Sequence, residues 1–218
     1  KSGKGSMSID KRVPKDYIFR LIWKYSLMRI KGRLVGFFHS KINSRIFVGK
    51  RVKLICKKNI IIGKNCKIHD DVKIDALSTN GVSLGENVVL GERTIIECTG
   101  SIRNIGKGIK IGKNSSFGGD CFFGCAGGVE IGCDVLGGQY IRFHSENHKF
   151  DDVNKKIRDQ GVTRQGIKIG DNCWIGSGAV FLDGANVGDG CVIAANAVVR
   201  GNILDNSVVG GVPAKLIR

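Results

Sequence analysis

The sequence predicts an all-β protein built as a solenoid, because a large apolar residue returns at every sixth position near the end of the chain. The large residues of this register are Ile169, Ile175, Phe181, Val187, Ile193 and Val199. A second register, four residues later each time, holds only small residues, namely Cys173, Ala179, Ala185, Cys191 and Ala197. A period of six fits neither an α-helix nor an alternating strand and is typical of a coil that repeats in space.

Each six-residue unit is interpreted as a short strand followed by a corner. The large side chain points into the coil, and the corner accepts only a small residue, with glycine or asparagine supplying the unusual backbone angles. Three units form one triangular turn, which buries its interior only by stacking on the next. The pattern recurs earlier, with insertions, in the pairs Ile62 and Cys66, Leu84 and Val88, Ile111 and Ser115, and Ile131 and Val135. We therefore expect one β-solenoid domain over residues 46–218.

Glycine and cysteine usage supports this fold class. Of the 32 glycines, 27 follow residue 58, whereas a β-sandwich would place its turns at irregular spacing. Four of the eight cysteines occupy small-residue positions and are expected to be free core thiols: Cys66, Cys121, Cys173 and Cys191. The chain has no Cys-x2-Cys ligand spacing, so we expect no metal. Free thiols in this number favour a reducing compartment, and hence a cytoplasmic protein.

Residues 1–45 form a separate basic, aromatic-rich segment that is expected to be helical. Residues 1–58 contain 17 lysines and arginines and two acidic residues, so they hold +15 of the net charge of +16. Apolar and basic side chains between Lys15 and Phe38 predict a helix or a pair of helices, and no uncharged stretch approaches the roughly 20 residues that cross a bilayer. Residues 1–6 are expected to be a remnant of cloning, and no signal peptide is visible.

Two roles remain open for this segment. A helix could cover the end of the first coil, with its charges solvated. Alternatively, a basic aromatic helix could contact an anionic membrane through residues 15–58 and place the protein at the inner face of the cell membrane. Nucleic acid is not an expected partner, because no groove-reading motif accompanies the charge.

The repeat is interrupted once, and the interruption is the candidate functional site. The hexads stop after Ile141 and resume at Gly166, so a polar loop insertion is expected at 142–166. Long loops on compact scaffolds usually carry function. Two of the four histidines lie here, His144 and His148. Histidine titrates near neutral pH and can act there as a general base, so both are candidate catalytic residues.

Carboxylates in the same loop could orient the imidazole by accepting a hydrogen bond from its second nitrogen, as in a catalytic dyad. Glu146, Asp151 and Asp152 are the candidates. The sequence alone does not choose among them.

Two segments resemble the closing segments of hexapeptide-repeat acyltransferases, specifically the acetyl-CoA-dependent sugar O-acetyltransferases. They are Ile-Gly-Asp-Asn-Cys-Trp-Ile-Gly-Ser-Gly-Ala-Val at 169–180 and Val-Gly-Gly-Val-Pro-Ala-Lys-Leu-Ile-Arg at 209–218. The resemblance covers roughly residues 47–218. It implies a left-handed parallel β-helix, acetyl-CoA as co-substrate, no metal, and a homotrimer in which one subunit brings its catalytic histidine to coenzyme A held partly by another.

The resemblance also implies roles for residues of the loop. His148 follows Asn147 as in the extended loop of the family, where this histidine serves as general base, so His148 is favoured over His144. Asn147 and Asp151 are the candidates for binding the acceptor.

The cofactor-binding residues implied by the resemblance are Trp174, Ser177, Ala195, Arg200, Lys215 and Arg218. Ser177 and Ala195 would contact the pantetheine arm through their backbones. Lys215 and Arg218 would face the adenosine phosphates, and Arg200, which stands where the family frequently has Thr-Lys, is a third cation for them. Trp174 follows an inward cysteine and should point outward, where an indole usually contacts a ligand, a loop or another subunit.

The leading hypothesis is an acetyl-CoA-dependent O-acetyltransferase that modifies a sugar hydroxyl in surface-polysaccharide biosynthesis. One alternative is an N-acyltransferase of a nucleotide-linked amino sugar. Another is a non-catalytic β-solenoid scaffold whose loop is a binding surface. A scaffold has no use for His148 and should release no free thiol from acetyl-CoA.

Overall fold

A computed structural model describes residues 9–218 of the chain. The prediction that residues 1–6 are a remnant of cloning lies outside this range. The described residues form one long helix, α1 (Lys15–Phe38), 25 short strands and two turns of 3₁₀ helix, Lys57–Asn59 and Ile157–Asp159. In chain order the strands are β1 (Phe47–Val48), β2 (Lys53–Ile55), β3 (Ile60–Ile62), β4 (Lys67–Ile68), β5 (Lys73–Asp75), β6 (Val82–Leu84), β7 (Val89–Leu90), β8 (Ile95–Glu97), β9 (Ile109–Ile111), β10 (Ser116–Phe117), β11 (Phe122–Gly124), β12 (Val129–Ile131), β13 (Leu136–Gly137), β14 (Arg142–His144), β15 (Asn147–His148), β16 (Val162–Thr163), β17 (Ile167–Ile169), β18 (Trp174–Ile175), β19 (Val180–Leu182), β20 (Asn186–Val187), β21 (Val192–Ile193), β22 (Val198–Val199), β23 (Asn202–Ile203), β24 (Val208–Gly210) and β25 (Lys215–Leu216).

The strands stack into three parallel sheets, which are the three faces of one triangular prism. The first face is β1-β4-β7-β10-β13-β18-β21-β24, with β25 folded back antiparallel on β24. The second face is β2-β5-β8-β11-β14-β19-β22, and the third is β3-β6-β9-β12-β17-β20-β23. Neighbouring strands of a face belong to successive coils: Trp174 pairs with Val192, three hexads further along the chain. The predicted all-β solenoid with a helical N-terminal segment is confirmed.

Both sequence registers point into the prism. The large residues from Ile169 to Val199 and the small residues from Cys173 to Ala197 are all at most 4% exposed. The middle coils contain an aromatic stack, in which the ring of Phe143 lies between those of Phe123 and Phe181 with centroids 4.9 and 4.8 Å away. Each coil therefore buries its apolar residues against the coils above and below it.

The cysteines of the small-residue positions are free core thiols, as predicted. Cys66, Cys121, Cys173 and Cys191 are buried and unpaired. Burial raises the pKa of Cys66, Cys121 and Cys173 to about 11, because a thiolate loses its hydration in the interior. These thiols act as small apolar side chains.

Asparagines stack at the edge between the third and first faces. Asn65, Asn87 and Asn114 have φ near +60°, a conformation that asparagine tolerates better than most residues. The side-chain amide of Asn87 donates to Asn114 (2.8 Å), and that of Asn114 donates to Asp134 (2.8 Å). The side chains of corner residues in successive coils thus satisfy one another's hydrogen-bonding groups.

Helix α1 packs on the first coil, where Met28 is buried and Val35 packs against the core, and it extends along the first face. Gly32 packs so closely on the carbonyl of Ile46 that any side chain at this position would collide with it. Tyr25 packs edge-to-face on Phe47, and Lys24 pairs with Glu92 two coils further along. Most of the other apolar residues of α1 are exposed. No helix in residues 9–218 combines the length and the apolar composition that a bilayer span requires.

Candidate active site

The loop insertion begins later than the sequence predicts. The prediction that it starts at residue 142 is wrong, because Arg142–His144 is a strand of the second face. Phe143 keeps the inward register, while its polar neighbours point outward and conceal that register in the sequence. The chain leaves the coil after Ser145 and resumes it at Gly166. Residues 146–165 are called the excursion below.

Two polar contacts anchor the outgoing end of the excursion. The buried hydroxyl of Ser145 donates to the carbonyl of Gly124 (2.8 Å) and accepts from the N–H of Gly127 (2.9 Å). The carboxylate of Glu146 accepts from the guanidinium of Arg164 at 2.5 Å. Arg164 also donates to two backbone carbonyls of an adjacent loop. The predicted candidate Glu146 therefore ties the two ends of the excursion together.

A buried carboxylate anchors the returning end. Asp183 accepts from the hydroxyl of Thr163 (3.0 Å), from the N–H of Gln165 (3.1 Å) and from the N–H of Gly166 (2.8 Å). Hydrogen bonds to an ionised acceptor are stronger than neutral ones. Asp183 thereby holds the chain at three positions, 163, 165 and 166, where it rejoins the coil.

Between these anchors the excursion folds into a hairpin. Strands β15 and β16 pair antiparallel, with Asn147 opposite Thr163 and His148 opposite Val162. At the tip, the side chain of Gln160 accepts from the N–H of Asp152 (3.1 Å) and donates to its carbonyl (2.9 Å). The loop that the sequence predicts is therefore an ordered hairpin held at its base and its tip.

His148 lies exposed on β15, close to the base of this hairpin. Of the three carboxylates considered as its partner, Glu146 is bound to Arg164 and Asp152 is bound within the turn at the tip. Asp151 is exposed, and no other residue in the described part of the chain bonds its carboxylate. Of the three, Asp151 is therefore the carboxylate without a side-chain partner among residues 9–218.

His144 lies on the second face, beneath the hairpin. Its ring lies 5.6 Å from that of Phe122, and it lines a cavity of about 160 Å³ together with Glu97 and Glu146. Gly124, on the strand between His144 and Glu97, leaves room for this cavity. Burial lowers the pKa of His144, and the charge of Arg142 lowers it further, so the neutral imidazole is favoured.

A groove of about 420 Å³ lies on the third face at the other side of the hairpin base. Its floor includes Gly127, Gly128 and Gly166, and its walls carry the side chains of Lys107, Glu130, Lys110 and Lys168. Three cations face one carboxylate here, so the groove favours a negatively charged ligand. The hairpin that carries His148 stands between this groove and the cavity of His144.

Five of the six predicted cofactor residues lie on the first face or at its edge with the second. They are Trp174, Ser177, Ala195, Lys215 and Arg218. Trp174 is 59% exposed and points outward as predicted. Ser177 and Ala195 occupy the same corner in successive coils and are exposed, and Lys215 pairs with Gly210 beside them. An apolar wall, accessible backbone at small residues and nearby cations fit the pantetheine arm and phosphates of coenzyme A.

The sixth cofactor candidate, Arg200, lies at a different edge. It is exposed at the corner between the second and third faces, the corner that also carries the excursion and His148. The second face, about 10 Å wide for a three-residue strand, separates these residues from Trp174 and Ser177. One chain therefore does not bring the predicted base and the predicted cofactor corner together.

Sequence reasoning missed three residues that shape this region. Glu97 shares the cavity of His144, Arg164 binds Glu146, and Asp183 anchors the return of the chain. Only Asp183 had a usable signal, an acidic residue two positions before the small-residue slot at Ala185. No group of three or more His, Cys, Asp or Glu side chains in residues 9–218 is placed to hold a metal ion.

Known proteins share this architecture. The family model described as bacterial transferase hexapeptide (six repeats) matches residues 166–201. A hexapeptide-repeat-containing acetyltransferase from Vibrio cholerae, known from its crystal structure, superposes with a TM-score of 0.55 and 27% identity over 62% of this chain and 72% of that chain. The chain is similar to hexapeptide-repeat acyltransferases in its repeats and in its fold. The prism is accordingly a left-handed parallel β-helix.

Relatives of this hexapeptide-repeat protein are named as acetyltransferases. A probable acetyltransferase of Mycobacterium tuberculosis is 31% identical over 166 residues, which are 76% of this chain and 51% of that protein. A protein of Escherichia coli K12, provisionally named an O-acetyltransferase of lipopolysaccharide biosynthesis, is 46% identical over 52 residues, 24% of this chain and 26% of that protein. The chain spans about half the length or less of these curated relatives. A complex of the Vibrio cholerae protein with acetyl-CoA superposes with a TM-score of 0.54 and 26% identity over 62% of this chain and 69% of that chain.

Proposed function

We propose that the protein is an acetyl-CoA-dependent O-acetyltransferase that acetylates a sugar hydroxyl during surface-polysaccharide biosynthesis. The observation that carries this proposal is the anchored excursion, which presents His148 at an edge of the prism beside a groove that favours anions. A scaffold would gain nothing from a buried carboxylate and an ion pair that hold an exposed imidazole in place. The names of its relatives support the reaction class, and the Escherichia coli relative supports the glycan acceptor.

In the proposed reaction His148 is the general base. Acetyl-CoA supplies the acetyl group as a reactive thioester. The imidazole of His148 accepts the proton of the acceptor hydroxyl as its oxygen bonds to the acetyl carbon, and the proton then passes to the departing thiolate of coenzyme A. Asn147 and Asp151, on the same hairpin, position the acceptor. The hydrogen bonds of Asp183 hold the hairpin so that this proton transfer has a defined geometry.

The proposed enzyme is a homotrimer. The base and the cofactor corner lie at different edges of one chain, so the site is complete only when the excursion of one subunit meets the Trp174 edge of its neighbour. Threefold rotation brings two different edges of adjacent prisms together at each interface. Trp174 and the cations Lys215 and Arg218 then line a groove that the neighbour closes.

The proposed location is the cytoplasm, at the inner face of the membrane. The free core thiols suit a reducing compartment, and the cytoplasm supplies acetyl-CoA.

A thiol-release assay tests the reaction. Purified protein and acetyl-CoA are incubated with monosaccharides, nucleotide sugars, nucleotide-linked amino sugars and lipid-linked glycans. We expect acceptor-dependent release of coenzyme A, and His148→Ala should lower kcat by roughly 10²- to 10⁴-fold. Release only with the amino sugars would favour N-acylation, and no release with any acceptor would favour the scaffold. Loss of turnover in His144→Ala with retention in His148→Ala would contradict the assignment of the base.

Subunit mixing tests the shared site. His148→Ala and Ala195→Trp should each be inactive alone, the first without a base and the second with a blocked cofactor corner. When the two variants are refolded together at equal amounts, about a quarter of the interfaces should pair an intact His148 with an intact corner. We expect about a quarter of wild-type activity to return. If each subunit holds a whole site, the mixture stays inactive.

A further inference from the structure

The end of the prism at the first coil contains a large open cavity. Its volume is about 1050 Å³, and it lies between the chain that leaves α1, at Phe38–Lys41, and the corner at Leu54–Asn59. This cavity and the cofactor corner near Lys215 lie at opposite ends of the stack of coils. It takes no part in the proposed acetyl transfer.

The floor of this cavity is apolar. Leu54 belongs to the inward register of the second face, where it pairs with Ile74, and Ile74 pairs with Ile96. Ile74 and Ile96 are fully buried, whereas Leu54 is only half-buried, because no coil of the described residues lies beneath it. Phe38, 73% exposed, adds to the same surface. The cavity therefore exposes Leu54, an inward-register residue that a further coil would cover.

The rim of the cavity is cationic. Lys41, Lys57 and Lys58 line it together with His39, and none of the lining residues in the described part of the chain is acidic. The ammonium group of Lys41 donates to the carbonyl of Lys58 at 3.3 Å, which keeps these charges close together. Three like charges without a carboxylate are stabilised when an anion binds among them.

An exposed aromatic pair borders the cavity. Phe37 is 83% exposed, and its ring lies edge-to-face on that of Phe38 at 5.3 Å. Large aromatic side chains next to lysines are typical of surfaces that enter the headgroup region of a bilayer. The apolar floor, the cationic rim and the aromatic border of the cavity are complementary to an amphiphile that has an anionic head and an apolar body.

We propose that this end of the prism docks on a bilayer of anionic phospholipids, with headgroup phosphates at Lys41, Lys57 and Lys58 and with Phe37 and Phe38 among the acyl chains. This goes beyond acetyl transfer and does not depend on it. The excursion leaves the fifth strand of the second face, four strand spacings or about 20 Å from the first coil. A docked enzyme would therefore meet a glycan some distance from its lipid anchor.

Vesicle co-sedimentation at low salt tests the docking. The full chain is mixed with vesicles of phosphatidylcholine alone or with 30% phosphatidylglycerol. We expect binding to the anionic vesicles only. The variant Lys57→Gln/Lys58→Gln should bind about thirtyfold more weakly, because each lysine near an anionic surface contributes about fivefold in affinity. Phe37→Ser/Phe38→Ser should also weaken binding.

A matched variant separates the cavity from the general basic charge. Lys11→Gln/Lys15→Gln removes the same charge at the other end of α1, where both residues are exposed, and should change vesicle affinity by less than threefold. Equal losses in both double variants, or wild-type binding by Lys57→Gln/Lys58→Gln, would overturn the proposal. Tighter binding to single-stranded RNA than to anionic vesicles, or full competition by millimolar inorganic phosphate, would overturn it too. Thermal melting checks that each variant folds, and thiol release is measured separately, so failure of docking is distinguishable from failure of catalysis.

Discussion

Two successive coils pass from the second face to the third at the same edge of the prism, but through connections of very different length. After β19 the chain passes from the second face to the third within three residues, Asp183 to Ala185. After β14 the same turn takes 22 residues, 145–166, which include the excursion. Yet β14 and β19 pair directly and remain in register. The solenoid therefore accepts a long insertion at a corner without disturbing the strands on either side.

The two turns depend on different interactions. The short turn is held by the inward residues Phe181 and Ala185, which are buried between coils. The long turn buries little apolar surface of its own and depends on the polar anchors Ser145, Asp183 and the Glu146–Arg164 pair. Apolar packing thus stabilises the scaffold, whereas hydrogen bonds determine where the hairpin and His148 lie. The substitutions below separate these two contributions.

The largest effect on stability is expected for Phe143→Ala. Phe143 is fully buried between two aromatic rings, and removal of such a side chain costs about 4 kcal/mol of the free energy of unfolding. Urea denaturation measures this loss. If residues 142–144 belonged to the loop, as the sequence suggested, the same substitution would cost less than about 1 kcal/mol.

The reason for that wrong boundary lies in the residues themselves. From Ile167 onward the hexads follow without insertion, so burial of Ile175 or Ala179 was predictable from spacing alone. Before that point the coils carry insertions of different length, and Ser116 pairs with Val89 27 residues earlier. Arg142 and His144 then made an inward strand look polar. Alternation over three residues is too short a signal to identify such a strand by sequence.

The next largest effect is expected for Asp183→Ala. The substitution leaves the donors of Thr163, Gln165 and Gly166 without their acceptor, at a cost of about 2–3 kcal/mol. Activity should fall together with hydrogen-exchange protection at the returning end of the excursion. Asp189→Ala is the matched control, since Asp189 is exposed at a regular corner and accepts one N–H, from Asp171. Equal losses in the two variants would contradict a special role for the buried carboxylate.

Much of the candidate site could not be predicted from the sequence, because it depends on which strands pair across the insertions. The loop histidines stood out because the chain has only four. The proximity of Glu97 to His144 depends on strand register across an insertion, and the pairing of Glu146 with Arg164 depends on how the hairpin closes. The packing of α1 was equally hidden, because its apolar residues form no single stripe and Gly32 decides which side approaches the first face.

The smallest effect concerns the dependence of stability on pH. Burial lowers the pKa of His144 below its ordinary value of 6.5. Between the two values the unfolded chain binds more protons than the folded protein, so stability rises with pH in this window and is lost as pH falls through it. His144→Gln should therefore flatten the loss of stability between pH 7 and pH 5, measured by urea denaturation. His69, whose pKa is also lowered by burial, should give a separate and additive flattening as His69→Gln. An unchanged slope in His144→Gln would mean that the imidazole is solvated, and that the cavity beneath the hairpin is open to water.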